Sequence, residues 1–298
     1  MATGGGRAAV SSILVDLENV WGVIDELLGT LGPSGWSRKH GPDWVFADLP
    51  YHLAYFDRDI VVNGIQRGPD MPASEQRVWR NMEELNAWNA RKFAERAGNQ
   101  TPQQSIDQMH ASREAFRGML AEMADTDLER PVFIPITGCG WFHAGMALYI
   151  CLGHTWSHAT ELRLRLERTA PVPSASATHS ALGFYSGLLL MALDREQAAK
   201  TRLTTVMEFT GPGGGAWTVR VADGGCTLVE ERAPHAEVVL TQSPETFVKT
   251  LVGMLDPMTA IQSGAIQVAG MEHLATYGAL FPPLTPERVI QPMGRAAP

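Results

Sequence analysis

Two histidines four residues apart carry the strongest chemical signal in this chain: His154 and His158, in Gly153-His154-Thr-Trp-Ser-His158-Ala-Thr-Glu-Leu-Arg163. On an α-helix that spacing puts both imidazoles on one face, about one turn apart. A third histidine, His52, sits in Asp48-Leu-Pro-Tyr-His52-Leu-Ala-Tyr, beside Leu49, Leu53 and Phe56. Two neutral imidazoles on one helix and a third from another can hold a divalent ion, with positions left for water or substrate. Imidazole suits zinc, nickel and iron alike, so the donors do not choose among them. No glutamate follows His154, so the His-Glu-x-x-His signature is absent. The ordinary reading of a single helical histidine is a packed or surface residue. Three that converge inside one bundle would repel if protonated and lie idle if neutral, and a metal resolves both. The other six histidines show no matching spacing.

Further candidates surround the three. His143 lies 11 residues before His154; a helix reaching back that far would bring it near the same face, as a pocket or a structural residue. Arg163 is a carboxylate anchor or an ion-pairing residue near the helix end. Arg220, on an expected strand, clamps an acidic group or sits on a solvated face. Asp48 and Asp57 flank His52 as imidazole acceptors, or as a cap and a solvated charge. Trp141, Trp156 and Tyr55 line the apolar side of a cavity, or belong to the core.

These residues need helices to hold them, and the pattern supplies them over the first two-thirds of the chain. Ile13, Leu17, Val20, Ile24, Leu27 and Leu28 form one stripe of a helix from Ser11 or Ser12 to about Leu31. A second helix opens at Asp43 or Asp48, carries His52 and runs to about Ile65. A polar helix is expected over 74–97 and another from Thr101-Pro102. Residues 125–141 read as a loop with short strands around 132–136. A long helix over about 141–167 carries the histidine pair, and one more spans 178–193. The last third alternates instead: strands are expected at 204–210, 216–221, 226–230, 236–241 and 266–269. Helices are expected at 243–255, 258–263 and 271–280. The expected fold is therefore a four-helix bundle followed by a small α+β domain on an antiparallel sheet. The domain reading is a flexible N-terminus over 1–10, the bundle over 11–195, the α+β domain over 200–284 and a tail over 285–298.

The 298 residues leave ample room for two cores. With a net charge of −8 and no lysine- or arginine-rich run, the chain lacks the basic face a nucleic-acid partner needs. Three scattered cysteines, Cys139, Cys151 and Cys226, make neither a disulfide framework nor a thiolate zinc site. The longest apolar stretches, 144–152 and 182–193, fall short of the ~20 residues of a membrane span. Asp16 and Glu18 interrupt the only early apolar stretch, which leaves no signal-peptide core. The expectation is a soluble, cytoplasmic protein, monomer or homodimer, with a small-molecule substrate and neither membrane nor nucleic acid as partner.

The helical part resembles the DinB-like metal-binding bundles, in particular the N-terminal domain of the mycothiol-dependent maleylpyruvate isomerases. The resemblance rests on Gly41-Pro-Asp-Trp44, Asp48-Leu-Pro-Tyr-His52-Leu-Ala, Glu84-Leu-Asn86 and His154-x-x-x-His158-x-x-x-Leu162-Arg163, and covers about 11–195. It implies that His52, His154 and His158 bind a divalent metal. The first position of the pair can be an acid in that family; here it is a histidine, which makes the site more positive. The last third resembles sterol-carrier-protein-like domains through Trp217-Thr-Val-x-Val-x-Asp223-Gly, Ala236-x-Val-Val-Leu-Thr, Ser243-Pro-Glu-Thr-Phe247, Gly253-x-x-Asp256-Pro and Ser263-Gly264-x-Ile-x-Val-x-Gly270.

Together the two resemblances imply a metal-dependent thiol transferase or isomerase acting on a small, partly apolar substrate. A low-molecular-weight thiol such as mycothiol would be its co-reactant. Two other readings stay open: a metal-dependent hydrolase or other transformation in secondary metabolism, and a non-enzymatic carrier of a hydrophobic metabolite.

Overall fold

The computed structural model describes residues 6–41, 44–76, 79, 82–136 and 139–282. The described residues divide into two compact units that part inside one long helix, between Thr155 and Trp156.

The first unit opens with α1 (Gly6–Gly29). Its expected stripe is the buried one: Leu17, Val20, Ile24 and Leu27 are fully covered. The helix begins at Gly6 rather than at Ser11 or Ser12, so residues 6–10, expected as a flexible lead, are helical. The remainder of that lead, residues 1–5, and the expected tail at 285–298 lie outside the described residues, as does Asp43 with its part of the Gly41–Trp44 motif. Helix α2 (Asp48–Tyr55) starts at Asp48, the alternative start. It passes into a π-helical stretch, Phe56–Val62, and then α3 (Asn63–Arg67). Alternation in periodicity this local does not show in a hydropathy pattern; π-turns are uncommon and concentrate at functional sites.

Helix α4 (Met82–Asn99) starts later than expected, leaving Trp79 ahead of it. Helix α5 (Pro102–Glu122) begins where Thr101 predicts: its side chain and that of Gln104 form a reciprocal capping box around Pro102. The expected loop at 125–141 is more ordered than its polarity suggested. It contains the antiparallel hairpin of β1 (Pro131–Ile136) and β2 (Cys139–His143). Gly64 of α3 lets this hairpin approach, since a Cβ there would lie 2.5 Å from the Phe133 carbonyl oxygen. Helix α6 (Ala144–Arg165) follows directly.

The second unit contains the end of α6, then α7 (Ala175–Ala192) and the short α8 (Arg195–Ala198). Its five strands are β3 (Leu203–Phe209), β4 (Gly215–Ala222), β5 (Gly225–Val229), β6 (Val238–Gln242) and β7 (Gln267–Ala269). They form one sheet in the order β5-β4-β3-β6-β7. The sheet is antiparallel except between β3 and β6, which run parallel, so it is mixed. The parallel pair arises because residues 230–237 carry the chain back along the sheet before β6 begins. Buried Thr218 of β4 ties this return: its hydroxyl donates to the Glu231 carbonyl at 2.6 Å and accepts from the Ala233 N–H at 3.0 Å. Helices α9 (Pro244–Leu251), α10 (Pro257–Gln262) and α11 (Leu274–Leu280) complete the unit. Val206, Val219, Val238, Val248 and Leu280 are fully buried and mark its core.

Candidate metal centre

His52, His154 and His158 each offer a ring nitrogen, and the three nitrogens lie within 4.8 Å of one another. His52 comes from the middle of α2, and the pair from consecutive turns of α6. The three residues first picked out by spacing are thus the ones the fold gathers. Nε2 of His52 and Nε2 of His154 stand 2.9 Å apart. Two nitrogens each bonded to one ion at ~2.0–2.1 Å are separated by roughly 2.9 Å at a right angle and roughly 3.4 Å at a tetrahedral one. The His52–His154 separation therefore suits two ligands of one divalent ion, with a His158 ring nitrogen no more than 4.8 Å from either. The donors are all imidazole, which leaves the charge of a bound cation uncompensated and favours an anionic fourth ligand.

The walls are aromatic. The His52 ring makes edge contacts with Trp44 at 5.0 Å and Tyr55 at 5.2 Å between centroids, and Phe93 lies at 6.1 Å. Phe56 stacks on His154 at 3.8 Å with an interplanar angle of 25°. Such a lining limits water and fixes ring planes.

The acceptor for His52 is neither Asp48 nor Asp57. Its Nδ1 lies 3.0 Å from the Tyr55 hydroxyl, and that hydroxyl donates to Oδ1 of Asn89 on α4. Asp48 instead accepts from the Val45 N–H at 2.8 Å and from Nε of buried Arg96 at 2.7 Å, holding the start of α2 against α4. Buried Asp57 accepts from the Cys151 thiol at 3.4 Å. Desolvation pushes the Asp57 carboxyl up to about 7, against the partial opposition of the Arg113 charge. Burial likewise holds the Cys151 thiol well above its ordinary value, so Cys151 is a packed thiol and not a nucleophile. His158 has its own neighbour: Oε2 of Glu161 lies 3.3 Å from its Nδ1, while Oε1 of the same carboxylate accepts from Nε of Arg165 at 2.7 Å.

The remaining candidates separate from this group. His143 ends β2, one residue before α6 begins, so the helical phase that aligned it with His154 does not extend to it. It is more than half exposed and hydrogen-bonds the Glu129 carbonyl oxygen at 2.8 Å. Arg163 is buried, but its guanidinium ion-pairs with Glu245 of α9 and donates to the Arg168 carbonyl oxygen at 3.0 Å. Arg220 lies on the open side of β4 and pairs with Glu231 at 3.1 Å, both side chains exposed. Trp156 is core: it is 1% exposed, and its Nε1 donates to the Thr178 hydroxyl at 3.2 Å. Trp141 packs edge-on against Phe133 within the hairpin, 5.5 Å between centroids. Sequence reading missed Asn89 and Glu161 altogether and gave Tyr55 only as lining. The signal for two of them was present: Tyr55 and Glu161 each stand three residues after a histidine on a helix, where side chains meet.

Residues 16–162 match the DinB superfamily model, and residues 189–281 match the SCP-2 sterol transfer family. The chain is a DinB-like domain joined to an SCP2 domain. All three clustered histidines fall inside the DinB-like domain. The crystal structure of the mycothiol-dependent maleylpyruvate isomerase is similar in fold, with a TM-score of 0.51 at 12% identity over 88% of this chain and 92% of that one. A histidine-to-alanine mutant of that isomerase fits equally, with a TM-score of 0.51. Among curated proteins, hydroxysteroid dehydrogenase-like protein 2 of Bos taurus is 28% identical over 120 residues. That match covers 40% of this chain and 28% of the bovine protein. Among the described residues no helix is long and apolar enough to cross a membrane.

Proposed function

We propose that this DinB–SCP2 protein is a metal-dependent enzyme whose centre is His52, His154 and His158. The observation that carries the reading is the convergence of three ring nitrogens of the DinB-like domain within 4.8 Å, beside aromatic rings. Zinc, nickel or iron fits three imidazoles. When bound, the ion would lower the pKa of a coordinated water or thiol and polarise a substrate oxygen.

The protein's own residues do the rest. The imidazoles present ring nitrogens from two helices, with the Tyr55 hydroxyl on one ring and the Glu161 carboxylate beside another. Phe56, Trp44 and Phe93 exclude water and offer apolar surface to a small, partly apolar substrate. Cys151, buried and with its thiol held well above its ordinary value, supplies no thiolate to the reaction. We assign the reaction to thiol-dependent isomerisation or transfer, with a low-molecular-weight thiol such as mycothiol as co-reactant. The fold similarity to a mycothiol-dependent isomerase and the anion-seeking, all-imidazole donor set support that assignment. Arg163, tied to Glu245, is given a structural part, and no role in the reaction is proposed for Arg220 or His143.

The test is elemental analysis of the purified protein followed by turnover assays with and without added thiol. One equivalent of metal and thiol-dependent turnover support the reading. Metal with thiol-independent turnover moves it to hydrolysis or another metal-assisted transformation. A protein that takes up no divalent metal refutes it. The carrier reading, favoured by the SCP2 match, then remains, and binding of an apolar fluorescent ligand to the full chain would check it.

A further inference from the structure

The hydrogen bonds around His52 run in one direction. Asn89 is 7% exposed and Tyr55 is 4% exposed, so neither has bulk water as an alternative partner. The Tyr55 phenol has a single O–H to donate. That proton goes to Oδ1 of Asn89. The Tyr55 hydroxyl oxygen, 3.0 Å from Nδ1 of His52, is left with a lone pair facing the ring. A lone pair there calls for a proton on Nδ1, and a neutral imidazole protonated at Nδ1 has a bare Nε2. That Nε2 is the atom 2.9 Å from Nε2 of His154. Trp88 packs edge-on against the Tyr55 ring, with centroids 4.9 Å apart, and keeps the hydroxyl on this line.

We propose that Tyr55 and Asn89 are positioning residues for the metal centre: the relay His52 Nδ1–H to Tyr55 Oη–H to Asn89 Oδ1 fixes the ring orientation and tautomer that present Nε2 of His52 to the ion. The inference rests on the metal-centre reading for its purpose, but the tautomer it assigns is a property of the metal-free protein. Removing the relay leaves the ligand in place while freeing its ring to rotate or to carry its proton on Nε2. Losses of roughly 10–100-fold in metal affinity are typical when such partners are removed.

The test uses the full chain with labelled imidazole nitrogens. In metal-free wild-type protein, at a pH well above the imidazole range, nitrogen–proton correlation spectra should show His52 protonated at Nδ1. Zinc affinity is then measured by competition with a chromogenic chelator for wild type, Tyr55→Phe, Asn89→Ala and His52→Ala. The expected result is a roughly 10–100-fold weaker zinc affinity in Tyr55→Phe and Asn89→Ala, with the His52 Nδ1–H signal lost or mixed, and a larger loss in His52→Ala. A wild-type His52 protonated at Nε2 overturns the relay, and this readout needs no variant to fold. Wild-type zinc affinity in Tyr55→Phe, with His52→Ala impaired, also overturns it while leaving the metal centre standing. Equal zinc affinity in wild type and His52→Ala sinks the metal-centre reading instead, and the tautomer measurement still decides the relay.

Discussion

Asp57 sits in the π-helical stretch with its carboxyl fully desolvated, and replacing it with asparagine should change how stability depends on pH. The folded-state value is pushed up to about 7 from 3.8. Between those values the folded protein holds a proton that the unfolded chain has lost. Stability from this group is therefore complete below about pH 4, falls as pH rises through about 7, and is flat above. The gap corresponds to roughly 4 kcal/mol, a large part of a typical total of about 5–15 kcal/mol. Asparagine cannot titrate, and it keeps the oxygen that accepts from the Cys151 thiol. Its NH2 replaces Oδ2, a buried atom without a hydrogen-bond partner, so the amide donor meets the same surroundings as the hydroxyl of the protonated acid. Below about pH 4 the two proteins should differ by less than about 1 kcal/mol, and near pH 5 Asp57→Asn should already lead by roughly 1.6 kcal/mol. Near pH 8, Asp57→Asn should be the more stable by up to about 4 kcal/mol, less what is lost from the attraction between Arg113 and a carboxylate. The assay is urea unfolding of both proteins, metal-free, at a series of pH values. Every other titrating group is common to both proteins, so the difference curve isolates Asp57. A difference that is constant with pH, or one that favours wild type at high pH, refutes the argument.

Four further outcomes follow from the same geometry. His158→Ala should abolish both stoichiometric metal binding and turnover, since it removes one of three donors; wild-type kcat in that variant would remove the metal from the reaction. Glu161→Gln keeps the size of the side chain but removes the charge beside His158 and Arg165; zinc affinity should weaken roughly tenfold or more, measured by chelator competition. Arg163→Ala should destabilise by about 1–3 kcal/mol because it empties a buried site and strands Glu245 only half in water. Arg220→Ala, from an exposed pair, should stay within about 0.5 kcal/mol by denaturant unfolding.

Much of the helical frame was legible because its signals are local. The α1 stripe, the Thr101–Gln104 capping box and the glycine-bounded strands of the last third each depend on a few neighbouring residues, and the structure places elements at all of them. What escaped needed non-local information. The parallel pairing of β3 with β6 depends on where residues 230–237 cross the sheet, which alternation along a strand does not encode. The π-helical stretch after Tyr55 shifts side chains by a fraction of a turn, so extrapolated helical phase fails for Asp57 as an acceptor of His52, just as it fails for His143 across the β2–α6 junction. The ligand set was legible by residue type and spacing. Asn89 was not, because its part in the centre comes entirely from the packing of α4 against the end of α2.

The three imidazoles are held by three different devices, two of them on or next to the element that carries the ring. His52 is bonded by Tyr55 and His158 is approached by Glu161, both three residues further along their own helices. His154 is stacked by Phe56, which stands four residues after His52. Helix geometry alone brings Tyr55 to His52 and Glu161 to His158, so those two contacts are built before α2 and α6 meet, while the Phe56–His154 stack forms as they pack. Aromatic walls raise the cost of leaving a charged ring or ion poorly aligned, because no water is at hand to repair it. A centre assembled in this way should tolerate small changes at its outer wall far better than loss of a local partner. Phe93→Leu should therefore retain zinc affinity within a few-fold, while Tyr55→Phe, which removes a single oxygen, loses roughly ten-fold or more. Equal losses in the two variants would mean that bulk packing, and not the directed hydrogen bond, holds the ring.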